Sequence, residues 1–333
     1  MDLDQLKEEN FKSTWKGGRI NMELQFLGTG AGMPSKLRNT SSAVLNLSAE
    51  GEGLWLFDCG EATQHQILHT SLKPRKISKI FITHLHGDHI FGLPGLISSR
   101  SFLGGEEPLH IYGPVGLQEW LVATLRLTNS HLTYELVVHE VTEGIVFEDG
   151  DFIVTAKLLQ HVIPCFGYRI EQKPLRGKLL IDEVIKAGVP RGPLFKQLKD
   201  GEDVELSDGR LVLSADVTGE PQKGFIVAIL GDTRYCESAV ELAQNADILV
   251  HEATFDSATG DLAKEYGHST ISDAANVAKE AGAKVLIANH ISARFMPSDI
   301  VKLKEQGEAI FPTLHIADDF ARYEWKDEEL FEM

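Results

Sequence analysis

The sequence predicts an α/β fold whose strands deliver polar residues to one edge of a sheet. Short apolar runs, rich in β-branched and aromatic residues and bounded by Gly, Pro and Asn, indicate buried strands along much of the chain. Three of these runs, at residues 80–82, 225–230 and 285–288, are followed within two residues by His or Asp. Because ligands of α/β proteins gather at the carboxyl ends of strands, this repetition predicts a functional site there.

The predicted elements alternate between strands and helices along the chain. The strands are predicted at residues 24–27, 42–47, 54–58, 80–82, 109–112, 136–141, 145–147, 152–158, 225–230, 248–250 and 285–288. The helices are predicted, from helical periodicity of apolar residues, at 93–102, 115–127, 237–245 and 272–281. No tandem repeat or low-complexity tract interrupts this pattern.

Composition limits the class of protein and its compartment. With 43% hydrophobic residues among 333 and no apolar run near twenty residues, the sequence predicts a soluble globular protein without a membrane span. Three cysteines without a C-x-x-C pair, and the lack of a secretory signal, predict a cytoplasmic location. The net charge of −17 argues against nucleic-acid binding unless basic residues are concentrated locally.

The densest group of potential metal ligands follows one of the predicted strands. His84 and His86 are two residues apart, so on extended backbone their side chains leave on one side and can close on one ion. Gly87 permits a tight turn, after which Asp88 and His89 can reach a second position. Zinc suits this mixture of imidazole and carboxylate, and the lack of thiolate ligands favours an open, water-binding site. The alternative is a polar surface loop.

These residues form the motif H-x-H-x-D-H, which resembles the signature of the metallo-β-lactamase superfamily. The flanking residues 81–96 resemble those of the short form of ribonuclease Z, and the resemblance extends from Met22 to about Phe320. It implies a four-layer αββα sandwich formed by residues 22–171 and 203–333, with a protruding basic arm inserted at residues 172–202. Residues 1–21 depart from the resemblance and are expected to be an N-terminal extension that is either disordered or not native to the protein.

The resemblance implies two Zn²⁺ ions per subunit, with Mn²⁺ or another divalent ion as a possible replacement. The implied ligands are His84, His86 and His161 for one ion, Asp88, His89 and His290 for the other, and Asp232 as the bridge. In the superfamily an aspartate that corresponds to Asp58 orients the histidine loop. The alternative for Asp58 is a helix N-cap, with Glu61 three residues later.

The resemblance also implies a reaction. Ribonucleases Z are zinc-dependent endoribonucleases that remove the 3′ trailer of precursor tRNA by metal-hydroxide attack after the discriminator nucleotide, leaving a tRNA 3′-hydroxyl and a trailer 5′-phosphate. Asp88 is the implied proton acceptor, and His268, positioned by Glu252 of a matching H-E-A-T motif, is the proposed proton donor. Ser269 and Thr270 are alternatively N-cap residues of the next helix.

Three parts of the sequence are expected to contact RNA. Residues 34–39 match the P-x-K-x-R-N loop of the family, in which Lys36 and Arg38 would read the 3′ end; the alternative is a basic surface turn. Arg294 is a candidate phosphate contact or an ordinary surface arginine. Residues 172–199 hold seven basic and two acidic residues.

The basic segment also contains a Gly/Pro-rich sequence that resembles the tip of the tRNA-gripping arm of ribonuclease Z. Its residues at that tip are Gly188, Pro190, Arg191, Gly192 and Pro193. A basic element held away from an acidic body can engage phosphates within a Debye length. The alternative is an ordinary solvated loop.

The resemblance implies two partners, precursor tRNA and a second copy of the chain. In such a homodimer the arm of one subunit would present tRNA to the metal site of the other; no membrane and no stable protein partner is implied. Two other functions fit part of the pattern: a hydrolase of a small phosphodiester, thioester or lactone on the same scaffold, and an RNA-binding module with purely structural metals. The basic arm argues against the first, and the open metal coordination against the second.

Overall fold

The computed structural model describes residues 21–333, so the N-terminal extension predicted at 1–21 lies outside the described residues except for its last residue. The described residues form two compact units. The larger consists of Asn21–Glu171 and Ile226–Met333, and the smaller of Gln172–Phe225. In residues 21–333 no helix is long and apolar enough to cross a membrane.

Strands outnumber helices among the described residues. In chain order the strands are β1 (Asn21–Gly28), β2 (Gly30–Ala31), β3 (Ser42–Leu47), β4 (Gly53–Phe57), β5 (Ile77–Phe81), β6 (Leu109–Gly113), β7 (Leu136–Glu140), β8 (Gly144–Glu148), β9 (Phe152–Leu158), β10 (Phe166–Gln172), β11 (Val204–Glu205), β12 (Leu211–Val212), β13 (Ile226–Ile229), β14 (Ile248–Glu252), β15 (Val285–Asn289), β16 (Ile291–Ser292), β17 (Leu314–Ile316), β18 (Arg322–Lys326) and β19 (Glu329–Glu332).

The helices are mostly short. They are α1 (Thr63–Leu68), α2 (Gly87–Ile90), α3 (Leu93–Phe102), α4 (Leu117–Leu127), α5 (Ile181–Lys186), α6 (Pro193–Lys199), α7 (Ser214–Val217), α8 (Glu237–Leu242), α9 (Gly260–Tyr266), α10 (Ile271–Ala281) and α11 (Pro297–Glu308). Single 3₁₀ turns lie at Ser48–Glu50, Pro74–Lys76 and Ser257–Thr259.

Two mixed sheets organise the larger unit. The first has eight strands in the order β19-β18-β1-β3-β4-β5-β6-β7, and the second has seven in the order β17-β15-β14-β13-β10-β9-β8. Strands β4 to β7 pair in parallel, as do β13, β14, β15 and β17. The carboxyl ends of each parallel group therefore lie along one edge of its sheet.

Aromatic side chains fill the space between the two sheets. Trp55 of β4 packs against Phe152 of β9, and Phe81 of β5 against Tyr168 of β10, each pair with ring centroids 5.3 Å apart. On the outer faces, α3 and α4 cover the first sheet, and α8, α10 and α11 cover the second. The larger unit is therefore the predicted four-layer αββα sandwich.

Local sequence explains how the second sheet and its main helix form. Strand β14 is buried at every position, and its apolar run Ile248–Val250 is typical of a parallel strand that is covered on both faces. Helix α10 begins at a capping box between Thr270 and Asp273 and ends at Gly282, whose φ of 66° is left-handed. The β-α-β arrangement then leads directly to His290 at the end of β15.

The smaller unit has an apolar core of its own. Its helices and its β11–β12 hairpin surround Leu179, Val184, Val189, Phe195, Leu198, Val204, Leu206, Val212 and Val217. The basic residues 172–199 are followed by residues 200–225, which hold two basic and seven acidic residues, so the unit as a whole is neutral. The unit ends at Phe225. An RNA-binding arm at residues 172–202 stays a prediction.

Candidate metal centre

The predicted ligands come together at the carboxyl ends of β5, β9, β13 and β15. One set of ligand atoms that lie within 4.8 Å of one another belongs to His84, His86, His161 and Asp232. A second set, within the same distance, belongs to Asp88, His89 and His290. The sequence placed these side chains at strand ends, and the structure shows that they face one another across the two sheets.

Three of the four residues of the first set contribute ring nitrogens that lie close together. His84 Nε2 lies 3.0 Å from His86 Nδ1, which is 3.2 Å from His161 Nε2. Burial lowers the pKa of all three imidazoles, and that of His84 lies well below its usual value. Neutral imidazoles expose lone pairs, and three lone pairs at this separation suit a cation at their centre.

One carboxylate oxygen of the first set, Asp232 Oδ2, also lies close to nitrogens of the second set. Asp232 Oδ2 lies 3.2 Å from His290 Nε2, 3.5 Å from His89 Nε2 and 3.6 Å from His84 Nε2. Asp88 Oδ2 lies 3.6 Å from His89 Nε2. Among the described residues, His89 Nε2 is buried without a hydrogen-bond partner, as expected of a nitrogen that binds a metal ion. The donor set therefore fits two cations with Asp232 between them.

The electrostatics of the metal-free cluster are consistent with this fit. Burial opposes the charged form of Asp232, but the surrounding imidazoles of His290, His89 and His84 hold its pKa well below the usual range. Burial also opposes the charged form of His89, yet the carboxylates of Asp232 and Asp58 raise its pKa well above the usual value. A cation that binds here must displace the His89 proton, so we expect metal affinity to fall with falling pH.

Hydrogen bonds on the far side of the rings fix the ligands in place. His89 Nδ1 donates to Asp58 Oδ2 at 2.7 Å, and His161 Nδ1 donates to the carbonyl of Gly267 at 2.8 Å. His290 Nδ1 lies 2.7 Å from the Ser41 hydroxyl. Sequence reasoning missed Ser41 and Gly267 because neither residue type signals a ligand partner without the fold.

Asp58 and His290 share an uncommon backbone conformation. Their φ angles are 55° and 54°, in the left-handed region that non-glycine residues rarely adopt. Strain of this kind persists where the surrounding structure enforces it, often at functional sites. The N-cap alternative for Asp58 is wrong, because α1 begins at Thr63 behind Ala62 and the Asp58 carboxylate instead accepts hydrogen bonds from Thr83 and His89.

His268 and Glu252 form a buried pair beside the ligands. His268 Nδ1 donates to Glu252 Oε1 at 2.9 Å. Glu252 is held in turn by the backbone N–H of Thr233 and by the N–H and hydroxyl of Thr254. Burial disfavours the imidazolium, but Glu252 raises the pKa of His268 to about 9. His268 therefore carries two protons at neutral pH, as a proton donor must.

The alternative role of Ser269 and Thr270, which is to cap the next helix, is correct for Thr270. Thr270 caps α10 by accepting from the N–H of Asp273, whereas the Ser269 hydroxyl donates to the carbonyl of Thr233. Capping by Thr270 and proton donation by His268 are compatible, because different residues perform them.

A cleft of about 280 Å³ opens over the second ligand set. Asp88, Asp232, His268 and Arg294 line it together with Phe255. Arg294 is exposed, its guanidinium lies 4.8 Å from the Phe255 ring centroid, and its Nε donates to Ser292. The Arg294 guanidinium therefore lines the cleft, where a guanidinium is suited to binding a phosphate.

The two predicted RNA-reading residues of the 34–39 loop differ in their environment. Lys36 is exposed, whereas Arg38 is only 8% exposed. Its guanidinium donates to the Thr29 hydroxyl at 2.7 Å, to the Ala317 carbonyl at 2.5 Å and to Asp318 at 2.5 Å. Arg38 thus anchors the loop, and its contact with RNA stays a prediction.

Arg38→Gln is expected to lower the free energy of unfolding by about 2 kcal/mol, because it leaves buried acceptors without their charged donor. Urea denaturation of the purified protein measures this, with the exposed Lys36→Gln as the matched control that should not destabilise. An Arg38→Gln protein of unchanged stability but raised KM for RNA would instead place the guanidinium against substrate.

The predicted arm tip lies in the smaller unit. Gly188, Pro190, Arg191, Gly192 and Pro193 are all exposed, and Val189 between them is buried in the core of that unit. The φ angles of Gly188 and Gly192 are 81° and 147°, which require glycine.

Comparison with known proteins shows the family of the chain. It is 55% identical over 305 residues to a ribonuclease Z of Bacillus licheniformis, covering 92% of this chain and 99% of that protein. It is 54% identical over 302 residues to a ribonuclease Z of Anoxybacillus flavithermus, covering 91% and 97%. A family model described as anti-Pycsar protein Apyc1 matches residues 22–163.

Solved structures agree with these relatives. The crystal structure of human tRNase Z, short form, has a TM-score of 0.65 and 34% identity, and the match covers 90% of this chain and 98% of that one. YhfI of Bacillus subtilis, a metallo-β-lactamase fold protein, has a TM-score of 0.64 at 21% identity, covers 91% and 99%, and supports the fold alone. The chain belongs to the ribonuclease Z family and is an endoribonuclease with the metallo-β-lactamase fold.

Proposed function

We propose that this chain is a zinc-dependent enzyme that removes the 3′ trailer from precursor tRNA. The cut would follow the discriminator nucleotide and leave a tRNA 3′-hydroxyl and a trailer 5′-phosphate. The convergence of seven ligand side chains in two sets around Asp232 Oδ2 carries this proposal. The family relationship and the likeness to human tRNase Z support tRNA as the substrate class.

The ligands assigned to the two Zn²⁺ ions are those of the two sets. His84, His86 and His161 would hold one, Asp88, His89 and His290 the other, and Asp232 both. The ligands are imidazoles and carboxylates without a thiolate, which favours an open, water-binding zinc site. Two such ions would activate water as the nucleophile and neutralise charge on the scissile phosphate.

The protein side chains supply the proton transfers. Asp88, whose Oδ2 also accepts the N–H of Gly32 at 2.8 Å, is positioned to receive the proton of the attacking water. The 3′-oxygen of the tRNA leaves poorly as an anion, so His268 would protonate it. Glu252 keeps His268 protonated and orients its Nδ1, which leaves Nε2 for the substrate. Arg294 would bind a phosphate beside the scissile bond.

His268→Gln is expected to lower kcat for precursor tRNA by about 10²- to 10⁴-fold, the range of general acid catalysis. Its zinc content should not change, and hydrolysis of bis(p-nitrophenyl) phosphate, whose leaving group needs no proton, should fall far less. Exposed His131→Gln is the matched control. Equal losses on both substrates would show that His268 does not donate this proton.

The direct test of the function uses a precursor tRNA without CCA, incubated with the purified zinc-loaded protein. Cleavage mapped to the position after the discriminator, and abolished by a chelator, is the expected result. Cleavage elsewhere, or activity on small phosphodiesters alone, would favour the alternative of a small-molecule hydrolase on this scaffold.

The basic residues of the smaller unit are proposed to bind tRNA. Arg191, Lys196 and Lys199 are exposed and lie within eleven residues of the tip glycine Gly188, on a unit that is neutral while the rest of the chain is acidic. A homodimer, in which the arm of one subunit serves the metal centre of the other, is part of the same proposal. Light scattering on the purified protein tests the dimer.

A further inference from the structure

Thr83 lies between Asp58 and the first metal ligand of the chain. Its backbone N–H donates to Asp58 Oδ1 at 2.8 Å, and its hydroxyl lies 2.9 Å from Asp58 Oδ2. The same hydroxyl oxygen is 3.0 Å from His84 Nδ1. All three side chains are buried, with Thr83 1% and His84 0% exposed. The three groups therefore form a chain of hydrogen bonds from which water is largely excluded.

The direction of each hydrogen bond follows from what the groups can donate. An ionised carboxylate only accepts, so the Thr83 hydroxyl must give its proton to Asp58. The remaining lone pairs of Thr83 Oγ1 can then only accept, which places a proton on His84 Nδ1. A neutral imidazole has one N–H, so His84 Nε2 is left with its lone pair directed at His86 and Asp232.

Asp58 orients His89 in the same way, but by a direct hydrogen bond. His89 Nδ1 donates to Asp58 Oδ2 at 2.7 Å, which leaves His89 Nε2 free and buried. His84 belongs to the first ligand set and His89 to the second. One carboxylate thus determines which nitrogen is free in one ligand of each set.

We infer that Thr83 is a positioning residue for the first metal ion, because it relays the orienting effect of Asp58 to His84. The inference rests on the metal assignment in the proposed function. It assigns Thr83 a role specific to one of the two ions, whereas Asp58 serves both. Hydrogen bonds of this kind to metal-binding imidazoles commonly contribute about 10- to 100-fold to metal affinity.

The backbone holds Thr83 in this position. The carbonyl of Thr83 accepts the N–H of Phe166 at 2.9 Å, which joins the end of β5 to the start of β10. A Cβ atom at Gly231 would lie 2.6 Å from Thr83 Cβ and 2.5 Å from Cys165 Sγ. Because the glycine allows this close packing, Thr83 has little freedom to rotate away from His84.

Cys165 is the competing partner of His84. Its Sγ lies 3.6 Å from His84 Nδ1, and a thiol is a weak acceptor. Thr83 Oγ1 lies closer to His84 Nδ1, at 3.0 Å, and it has already donated its own proton to Asp58. Thr83 is therefore the better acceptor for the His84 N–H. Thr83→Val and Cys165→Ala separate the two possibilities, because each removes one candidate acceptor.

The test is zinc titration against a chromogenic chelator, which resolves the two dissociation constants. Thr83→Val should weaken one of the two sites by about 10- to 100-fold, whereas Asp58→Asn should weaken both. Thr83→Ser, which retains the hydroxyl, and Cys165→Ala should both bind zinc like the parent protein. If Thr83→Val binds both ions normally, or if Cys165→Ala shows the defect instead, the inference is wrong. If the parent protein itself binds no zinc, the proposed function fails first.

An independent measurement does not require any variant to fold. In the zinc-loaded parent protein with ¹⁵N-labelled histidine, the ring resonances of His84 should show a protonated, hydrogen-bonded Nδ1 and a metal-bound Nε2. A proton at Nε2, or zinc at Nδ1, would overturn the inference even if Thr83→Val proved insoluble.

Discussion

Asp232→Asn is expected to abolish binding of at least one metal ion and to lower kcat/KM by about 10³-fold or more. Asp232 Oδ2 is the one oxygen within 3.6 Å of ligand nitrogens from both sets, so no other carboxylate among the described residues can replace it. Loss of a catalytic cation removes several kcal/mol of transition-state stabilisation, and about 4 kcal/mol corresponds to about 10³-fold. Metal analysis of the purified protein and kinetics on precursor tRNA measure both effects.

Asp247→Asn provides the matched control for a buried aspartate. Asp247 is 3% exposed, precedes β14, accepts the N–H of Ile226 at 2.8 Å and pairs with Lys284 at 2.9 Å. We expect this variant to lose stability while it keeps two zinc ions and its activity per folded molecule. Wild-type metal content in Asp232→Asn would contradict the assignment of Asp232 as the shared ligand.

The regular elements of the larger unit could be predicted wherever apolar periodicity was strong. The predicted bounds 42–47, 93–102 and 152–158 agree with β3, α3 and β9 residue for residue. Strands β10 and β18 do alternate, with Phe166, Tyr168 and Ile170 apolar in β10 and Tyr323 and Trp325 in β18, but each holds only two or three apolar residues and neither was predicted. Polar α11 and the C-terminal strand β19 carry a weaker apolar pattern.

The smaller unit shows a different limit of sequence reasoning. The sequence predicts a basic arm at residues 172–202, and α5 and α6 form within it, in a core that also contains residues beyond position 202. That packing brings in residues 200–225, whose seven acidic side chains cancel the local excess of positive charge. The net charge of this segment therefore depends on where the segment is taken to end, and the folded core determines that end.

The candidate site was predictable in its ligands and in Asp58, but not in the other residues that hold the ligands. Histidine and aspartate at strand ends indicate metal chemistry by their type and spacing. Ser41, Thr83 and Gly267 are common residues, and only the fold brings them within hydrogen-bond distance of His290, His84 and His161. Arg38 shows the reverse case, because its motif position indicates substrate binding while its contacts are internal.

Neutralising three exposed basic residues at and after the arm tip of the smaller unit is expected to raise KM for precursor tRNA by about 10- to 100-fold at physiological salt. The variant combines Arg191→Gln, Lys196→Gln and Lys199→Gln, all of which are exposed. Each lost phosphate contact should also lower the slope of log KM against log salt by about one. Hydrolysis of bis(p-nitrophenyl) phosphate should stay unchanged, because a small phosphodiester needs only the metal centre.

Substitution is a sharper test here than deletion of residues 173–199. Val184 and Leu198 lie within that stretch but pack with Val204 and Val217 beyond it, so a deletion would expose half of one core and confuse unfolding with loss of RNA contacts. The matched control is Lys302→Gln with Lys304→Gln, two exposed lysines of α11 in the larger unit. If both variants raise KM equally, general charge and not the tip governs RNA affinity. If neither does, the smaller unit does not bind tRNA through these side chains, and the metal centre alone must recognise the substrate.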